Sequence, residues 1–173
     1  YDEGQMAAFL AESGLPCCLM HNRRQAEYGD FLLELKADLR ETLAIAERAG
    51  MKREHIILDP GVGFAKTKEQ NLEVMANLGV IDVNVSTNLQ IDVSGSLASD
   101  EGTLNQIAGQ LLGASRKSVI GLTLDVPVTE RLEGTLVTTV FAVLSGCSHV
   151  RVHDVKENVR AVRMAEAIAE YER

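Results

Sequence analysis

Short apolar runs alternate with amphipathic helical segments along this chain of 173 residues. The runs 15–20 and 56–58 carry no charge, which favours strands buried on both faces. The helix between them is predicted to begin after the N-cap Asp30 and to end at Gly50. Its apolar stripe consists of Phe31, Leu35, Leu39 and Leu43. Buried strands that alternate with helices are typical of a parallel α/β sheet.

The rest of the chain continues this alternation. The other predicted helices cover 5–13, 68–78, 134–144 and 158–172, and a further strand covers 150–153. Polar residues follow the apolar runs at His21, Asp59, Ser115 and His153. A (β/α)8 barrel gathers such positions at one rim, but a closed barrel needs about 250 residues. The chain is therefore expected to form a partial (β/α)8 TIM-type barrel, as one domain over 1–173.

The segment 80–110 departs from this pattern. Apolar and polar residues alternate over 81–85 and again over 89–93, with Thr87-Asn88 between the two stretches. A period of two is typical of half-exposed antiparallel strands. This segment therefore predicts an inserted β-hairpin.

The amino-acid composition argues against two classes of binding partner. The net charge of −8 argues against nucleic acid or an anionic membrane, because both require a basic surface. No apolar run approaches the ~20 residues of a membrane span, and no signal sequence opens the chain. The three cysteines include the adjacent Cys17 and Cys18, which would point to opposite faces of a strand. They are interpreted as buried free thiols in a reducing cytoplasm.

Two glycine-containing motifs follow apolar runs. In the first, Asp59-Pro60-Gly61-Val62-Gly63-Phe64, the Asp59 carboxylate could accept two hydrogen bonds from a heterocycle, or it could bond its own backbone in a turn. The second, 113–118, reads GASRKS, in which Lys117 could donate to a ring nitrogen or carbonyl. The alternative for the second motif is a solvated helix start.

A third motif reads HVRVHD at 149–154. In a strand, Arg151 and His153 would project to the same side and suit phosphate oxygens. The alternative for Arg151 is a structural ion pair with Asp154 or a helix carboxylate. For His21 a site residue and a loop cap are equally consistent with the sequence. No cluster has the spacing of a zinc site.

Taken together, five blocks resemble the dihydropteroate synthase family. They are LMH at 19–21, IILDPGVGFAKTKEQNL at 56–72, LLGASRKSVIG at 111–121, ERLEGTL at 130–136 and RVHDVKE at 151–157. The resemblance places the chain in the C-terminal two-thirds of such an enzyme, with an atypical insert around 80–110. It implies a transferase of folate biosynthesis that condenses a dihydropterin pyrophosphate with p-aminobenzoate and is the target of sulfonamides.

The resemblance also implies roles for single residues. Asp59 and Lys117 would hold the pterin ring, and Met20 and Gly113 would line its pocket. The family uses Mg²⁺, but the Asn that helps to bind it precedes this segment, so no metal ligand is expected in this chain.

The other substrates are assigned in the same way. Arg151 and His153 would bind the departing pyrophosphate, and Phe64 and Ser115 would flank p-aminobenzoate. Lys117, Arg151 and His153 are the residues expected to be catalytic. A homodimer is expected, because a partial barrel exposes strand edges that can pair with another chain. The protein is also expected in the cytoplasm. The alternatives are a non-catalytic pterin or anion-binding module and a pterin methyltransferase-type barrel.

Overall fold

The computed structural model describes residues 4–81 and 107–171. Within these ranges the strands are β1 (Cys17–Met20), β2 (Ile56–Asp59), β3 (Gly109–Leu112) and β4 (His149–Val150). The helices are α1 (Gln5–Ser13), α2 (Phe31–Arg48), α3 (Lys68–Ala76), α4 (Ser118–Leu124), α5 (Leu132–Leu144) and α6 (Val155–Ala169). The predicted hairpin strands cover 81–85 and 89–93; Ile81 follows the 3₁₀ turn Leu78–Val80, and the rest lies outside the described residues. Gly109 and Gln110, which the predicted insert included, belong instead to the parallel strand β3.

The four strands form one parallel sheet in the order β1-β2-β3-β4, with helices in the connections. Parallel strands in sequence order with intervening helices are the arrangement of an arc of a (β/α) barrel. The predicted fold class is therefore confirmed. The register places Met20 opposite Asp59, so the carboxyl ends of β1 and β2 are level.

Helix α2 covers the sheet because its apolar residues recur at every fourth position. The carboxylate of Asp30 accepts a hydrogen bond from Leu33 N (3.1 Å), which confirms the predicted N-cap. Leu35 and Leu39 are at most 1% exposed and belong to the same buried cluster as Leu58 of β2. Each buried leucine contributes about 1.5–3 kcal/mol to stability.

The ends of two helices differ from the ends predicted from the sequence. Helix α3 starts at Lys68 as expected, where Thr67 and Gln70 form a capping box, and it ends at Ala76 before a 3₁₀ turn. Helix α6 begins three residues earlier than expected, because Asn158 N and its side-chain amide both donate to the Asp154 carbonyl oxygen (3.1 and 2.8 Å).

Two strand predictions are wrong in part. The strand expected at 150–153 stops at Val150, because Arg151 N makes its last bond to Leu112 O (3.0 Å) before the chain turns into α6. Burial of β1 on both faces is also wrong, since Cys18 is exposed while Cys17 packs toward the helices. In the described part of the chain, the helices cover one face of the sheet.

Helices α5 and α6 pack through a buried polar pair. Thr139 Oγ1 donates to Asn158 Oδ1 (2.6 Å), and both side chains are at most 2% exposed. The amide of Asn158 also holds the start of α6, so one side chain joins the two helices and fixes a helix terminus. No helix in the described ranges is both long and apolar enough to cross a bilayer.

Replacing Asn158 with alanine should therefore lower the free energy of unfolding by about 1–3 kcal/mol, because Thr139 is left buried without its acceptor. Urea unfolding followed by circular dichroism measures this loss. Asn22→Ala, in an exposed loop, is the control and should leave the midpoint unchanged. Equal midpoints for the two variants would contradict the assignment.

Candidate active site

The sequence-predicted residues meet at the carboxyl ends of the four strands. Met20 and Asp59 end β1 and β2, opposite each other in the register, and Gly113 directly follows β3. Arg151 follows β4, and its Nε and Nη2 atoms both lie 3.6 Å from the position of a Cβ built on Gly113. Asp59 Oδ2 lies 3.6 Å from the same position. Gly113 therefore keeps open the space between this carboxylate and this guanidinium.

Asp59 makes the turn contact that its motif allowed, and its second carboxylate oxygen stays free in the described part of the chain. Its Oδ1 atom accepts a hydrogen bond from Gly61 N (2.7 Å), which is the turn interaction. Its Oδ2 atom accepts no hydrogen bond from the described residues and borders the space beside Gly113. The residue is 3% exposed, and every fully buried side-chain polar atom in the described residues has a hydrogen-bond partner, so the unpaired Oδ2 keeps contact with solvent and is available to a ligand.

Burial is the main influence on this carboxyl group and raises the pKa of Asp59. The groups that act in the opposite direction are Gly61 N–H and the charges of Lys117, Arg151 and Lys66. A single carboxylate is thus surrounded by three cationic side chains from different loops.

Lys117 lies at the end of the GASRKS motif and immediately before α4. Its Nζ atom donates to Val62 O and lies 4.6 Å from the centroid of the Phe64 ring. Burial lowers the pKa of Lys117, while Asp59 opposes that shift. The Lys117 ammonium therefore joins the loop after β3 to the loop after β2. Lys117 does stand at a helix start, as the alternative had it, but it is half-buried rather than fully solvated.

Ser115 and His153 form a second contact across the strand ends. Ser115 Oγ accepts from the backbone N–H of His153 (3.2 Å) and lies 2.9 Å from His153 Nδ1. With the serine hydroxyl donating to Nδ1, the imidazole carries its proton on Nε2. His153 is exposed, so this Nε2–H can donate to a ligand.

The ion pair between Arg151 and Asp154, which was the alternative for Arg151, does not form. Asp154 instead pairs with Arg116, whose Nε and Nη2 atoms donate to the two carboxylate oxygens. The guanidinium of Arg151 makes no hydrogen bond or ion pair with any other described side chain and is exposed. It thus remains available to an anion, although β4 ends before Arg151 and strand geometry does not orient it.

A polar chain that the motifs did not predict supports the loop after β2. His21 is buried, with Nε2 2.9 Å from Asp38 Oδ2 and Nδ1 2.9 Å from Lys66 Nζ. Arg23 binds both oxygens of Asp38 (2.6 and 3.1 Å) and donates to Glu34 Oε2 (2.8 Å). His21 is therefore neither exposed at the site nor a simple loop cap.

Two further features of the described residues are their possible metal-binding side chains and the state of the three cysteines. Those residues contain no group of three His, Cys, Asp or Glu side chains that could hold a metal ion. Mg²⁺ prefers oxygen ligands in a near-octahedral shell, and this part of the chain does not assemble such a set. The three cysteines are free thiols, as expected, but the expected burial is wrong, because Cys18 is exposed and Cys17 and Cys147 are only half-buried.

A parallel strand–helix arc with a buried carboxylate and cationic groups at its strand ends defines an α/β barrel segment whose strand ends are the usual place for a ligand. The family model for pterin binding enzymes matches residues 1–153, and the chain belongs to that family.

Several relatives are dihydropteroate synthases. The chain is 46% identical to the enzyme of Clostridium beijerinckii and 40% identical to that of Bacillus subtilis, over 94% and 95% of its own length. These matches cover 53% and 50% of the two relatives. The chain thus spans about half their length, a smaller share than the two-thirds expected from the sequence blocks.

Solved structures agree with this assignment. The dihydropteroate synthase of Clostridium difficile, crystallised in the presence of pteroic acid, superposes with a TM-score of 0.77 at 39% identity, covering 94% of this chain and 54% of that one. The Yersinia pestis enzyme in a sulfonamide drug complex gives 0.78 at 28% identity, covering 95% and 54%.

The environment of Asp59 predicts an unusual stability profile. Its folded pKa is raised by burial, so the ionised form is destabilising above that pKa and the cost is relieved as the pH falls toward the unfolded value of about 3.9. Asp59→Asn should therefore unfold with a free energy at least equal to wild type at pH 7. The advantage should shrink toward pH 4.

Urea titrations at the two pH values measure both quantities. Asp125→Asn, at an exposed position in the left-handed conformation that Asn tolerates, is the matched control. A large loss of stability in Asp59→Asn at pH 7 would show that the carboxylate is structural.

Proposed function

We propose that this chain provides the pterin and pyrophosphate subsites of a dihydropteroate synthase. The observation that carries this proposal is the free Oδ2 of buried Asp59, which borders the space that Gly113 leaves beside Arg151. A free carboxylate oxygen on a buried residue favours a ligand that offers N–H donors, and the adjacent cations favour one that also carries negative charge.

In this proposal Asp59 accepts hydrogen bonds from the ring N–H and amino group of the pterin. Lys117 donates to the ring, and Met20 lines the pocket from the end of β1. The placement of Lys117 on Val62 O and the Phe64 ring supports this role, because it holds the ammonium where its charge interacts with Asp59. The pterin plane would then be defined by groups at the carboxyl ends of three neighbouring strands, β1, β2 and β3.

The pyrophosphate is assigned to Arg151 and His153. Arg151 offers a planar fork of donors, and His153 offers Nε2–H because Ser115 occupies its other ring nitrogen. The amine nitrogen of p-aminobenzoate would attack the exocyclic methylene of the pterin. The carbon–oxygen bond to pyrophosphate would break, the leaving group would take the electron pair, and the attacking nitrogen would release one proton to water.

These two donors would lower the barrier by stabilising the negative charge that develops on the leaving oxygen. Phe64 and Ser115 would flank the p-aminobenzoate ring, in keeping with their positions beside Lys117 and His153. The described residues form no ligand set for the magnesium ion that the resemblance implies, so the proposed steps rest on the side chains of this chain.

The proposed pterin and pyrophosphate subsites can be tested separately with two ligands that differ only in the pyrophosphate group. Isothermal titration with 6-hydroxymethyl-7,8-dihydropterin and with its pyrophosphate ester should show that Asp59→Asn weakens both by roughly tenfold or more. Arg151→Gln should weaken only the ester, because the alcohol has no anion to bind.

Arg160→Gln, an exposed arginine on α6, is the matched control and should bind both ligands like wild type. Chromatographic detection of dihydropteroate after addition of p-aminobenzoate tests the transferase activity. Binding without product would leave the non-catalytic pterin-binding module as the function. Equal loss of both ligands in Arg151→Gln would contradict the pyrophosphate assignment.

We also propose that the chain acts as a homodimer in the cytoplasm. In the described sheet β1 and β4 are edge strands, and an edge presents unpaired backbone groups that favour association. The three free thiols are consistent with a reducing compartment.

Sedimentation velocity at two protein concentrations should resolve a species of twice the chain mass, because the exposed edges bury backbone groups on pairing. A single species at the mass of one chain, unchanged over a hundredfold range of concentration, would contradict the dimer.

A further inference from the structure

The ammonium group of Lys66 lies among three hydrogen-bond acceptors. Its Nζ atom donates to the carbonyl oxygens of Gly61 and Phe64 (both 3.1 Å) and to Nδ1 of His21 (2.9 Å). Three N–H donors thus meet three acceptors, which is the full capacity of a protonated lysine. Two of these acceptors belong to the loop 60–66, so Lys66 closes that loop on itself.

The same loop carries the proposed pterin contacts. It begins directly after Asp59, and the Gly61 N–H binds the turn oxygen of that carboxylate. Its middle supplies Val62 O, which accepts from Lys117, and the Phe64 ring, which faces the same ammonium. The conformation of the loop therefore sets the relative positions of carboxylate, ammonium and ring.

His21 connects this loop to helix α2. Its backbone N–H donates to Asp59 O (2.8 Å), and a Cβ on Gly61 would lie 1.9 Å from His21 O, so the two segments are in close contact. Because Lys66 donates to Nδ1, the imidazole proton lies on Nε2 and is donated to Asp38. Arg23 in turn fixes Asp38 through both carboxylate oxygens.

We propose that Lys66 is a positioning residue that, through His21 and Asp38, holds the loop 60–66 in the conformation that presents Asp59 and Phe64 to the pterin. The loop-holding part stands on the contacts of Lys66 alone, whereas the effect on the pterin rests on the proposed function. Lys66 itself touches neither the space beside Gly113 nor Arg151 in the described contacts, so it acts through the loop.

Because Lys66 is titratable, the holding of the loop 60–66 should depend on pH. The charged or titratable groups that face it are His21, Asp38, Arg23, Asp59 and Lys117. Burial dominates and lowers the pKa of Lys66 to about 8, while Asp59 opposes the shift. In an open, solvated loop the pKa would return to about 10.4.

The sign of the effect follows from proton binding. Between pH 8 and about 10 the open loop binds a proton that the closed loop does not hold. The neutral amine still has two N–H donors for the carbonyl oxygens of Gly61 and Phe64, so raising the pH over this window favours the closed loop. Below pH 8 both forms are protonated and the cost of the buried charge is constant.

Amide hydrogen exchange of the ligand-free chain tests the device. The reporters are Gly61, Gly63 and Phe64, whose N–H groups donate to Asp59 Oδ1, Asn71 Oδ1 and Gly61 O. Lys66→Met should reduce their protection factors by roughly tenfold or more, because three acceptors lose their donor.

Lys68→Met, two residues along the chain at the start of α3, is the matched control and should keep wild-type protection. Amides of α6 should be unaffected in both variants, which separates loss of loop position from global unfolding. Unchanged protection at 61–64 in Lys66→Met, or an equal loss in α6, would overturn the proposal.

The pH profile is a second readout that a merely structural side chain would not change. From pH 7.5 to 9.5 the protection factors of the loop in the wild type should rise relative to those of Lys66→Arg, whose guanidinium stays charged. A wild-type profile parallel to that of Lys66→Arg would overturn the role of the Lys66 proton.

Titration with the dihydropterin pyrophosphate then links the loop to the site. Lys66→Met should bind it roughly tenfold more weakly or worse, in proportion to the lost protection. Loosened loop amides with unchanged affinity would overturn positioning of the site. If the wild type binds no dihydropterin, the proposed function fails, while exchange still decides whether Lys66 holds the loop.

Discussion

The burial of one carboxylate, that of Asp59, is the constraint on which the arrangement of the strand ends depends. A charge removed from water is costly unless hydrogen bonds and opposite charges surround it. Here Gly61 supplies the hydrogen bond, and cations arrive from the loops that follow β2, β3 and β4. The hydrogen bond and the cations that offset the burial of Asp59 are therefore also the groups that suit an anionic ligand with several N–H donors.

Helix α2 both packs against the sheet and holds the polar side chains that lead to the loop after β2. Leu35 and Leu39 bury their side chains under the sheet, while Glu34 and Asp38, on an adjacent face, bind Arg23. Both pairs have a spacing of four, so each pair follows one line along the helix. The same helix that fixes the position of β2 therefore also fixes the polar chain leading to the loop after it.

The sequence predicted well those features that are encoded over a few residues. The stripe of α2, its N-cap and the alternation of strands and helices depend on local periodicity, and the structure reproduces them. Pairings between distant segments were less predictable. Asp154 lies three residues from Arg151, yet its partner is Arg116, 38 residues away, because the turn after β4 directs the carboxylate toward the loop after β3. Lys66 and His21 are 45 residues apart and share no motif.

Local and overall charge have opposite signs in this chain. A net charge of −8 produces a field that repels a pyrophosphate at long range, but salt screens that field beyond about 10 Å. Around Asp59 three cationic side chains face one carboxylate, so the potential at the strand ends is positive at short range. Binding of an anion must therefore depend on short, partly desolvated contacts rather than on steering from a distance. Hydrogen-bond geometry at Arg151 and Asp59 then matters more than the total charge, and a loop held in place from α2 supplies that geometry.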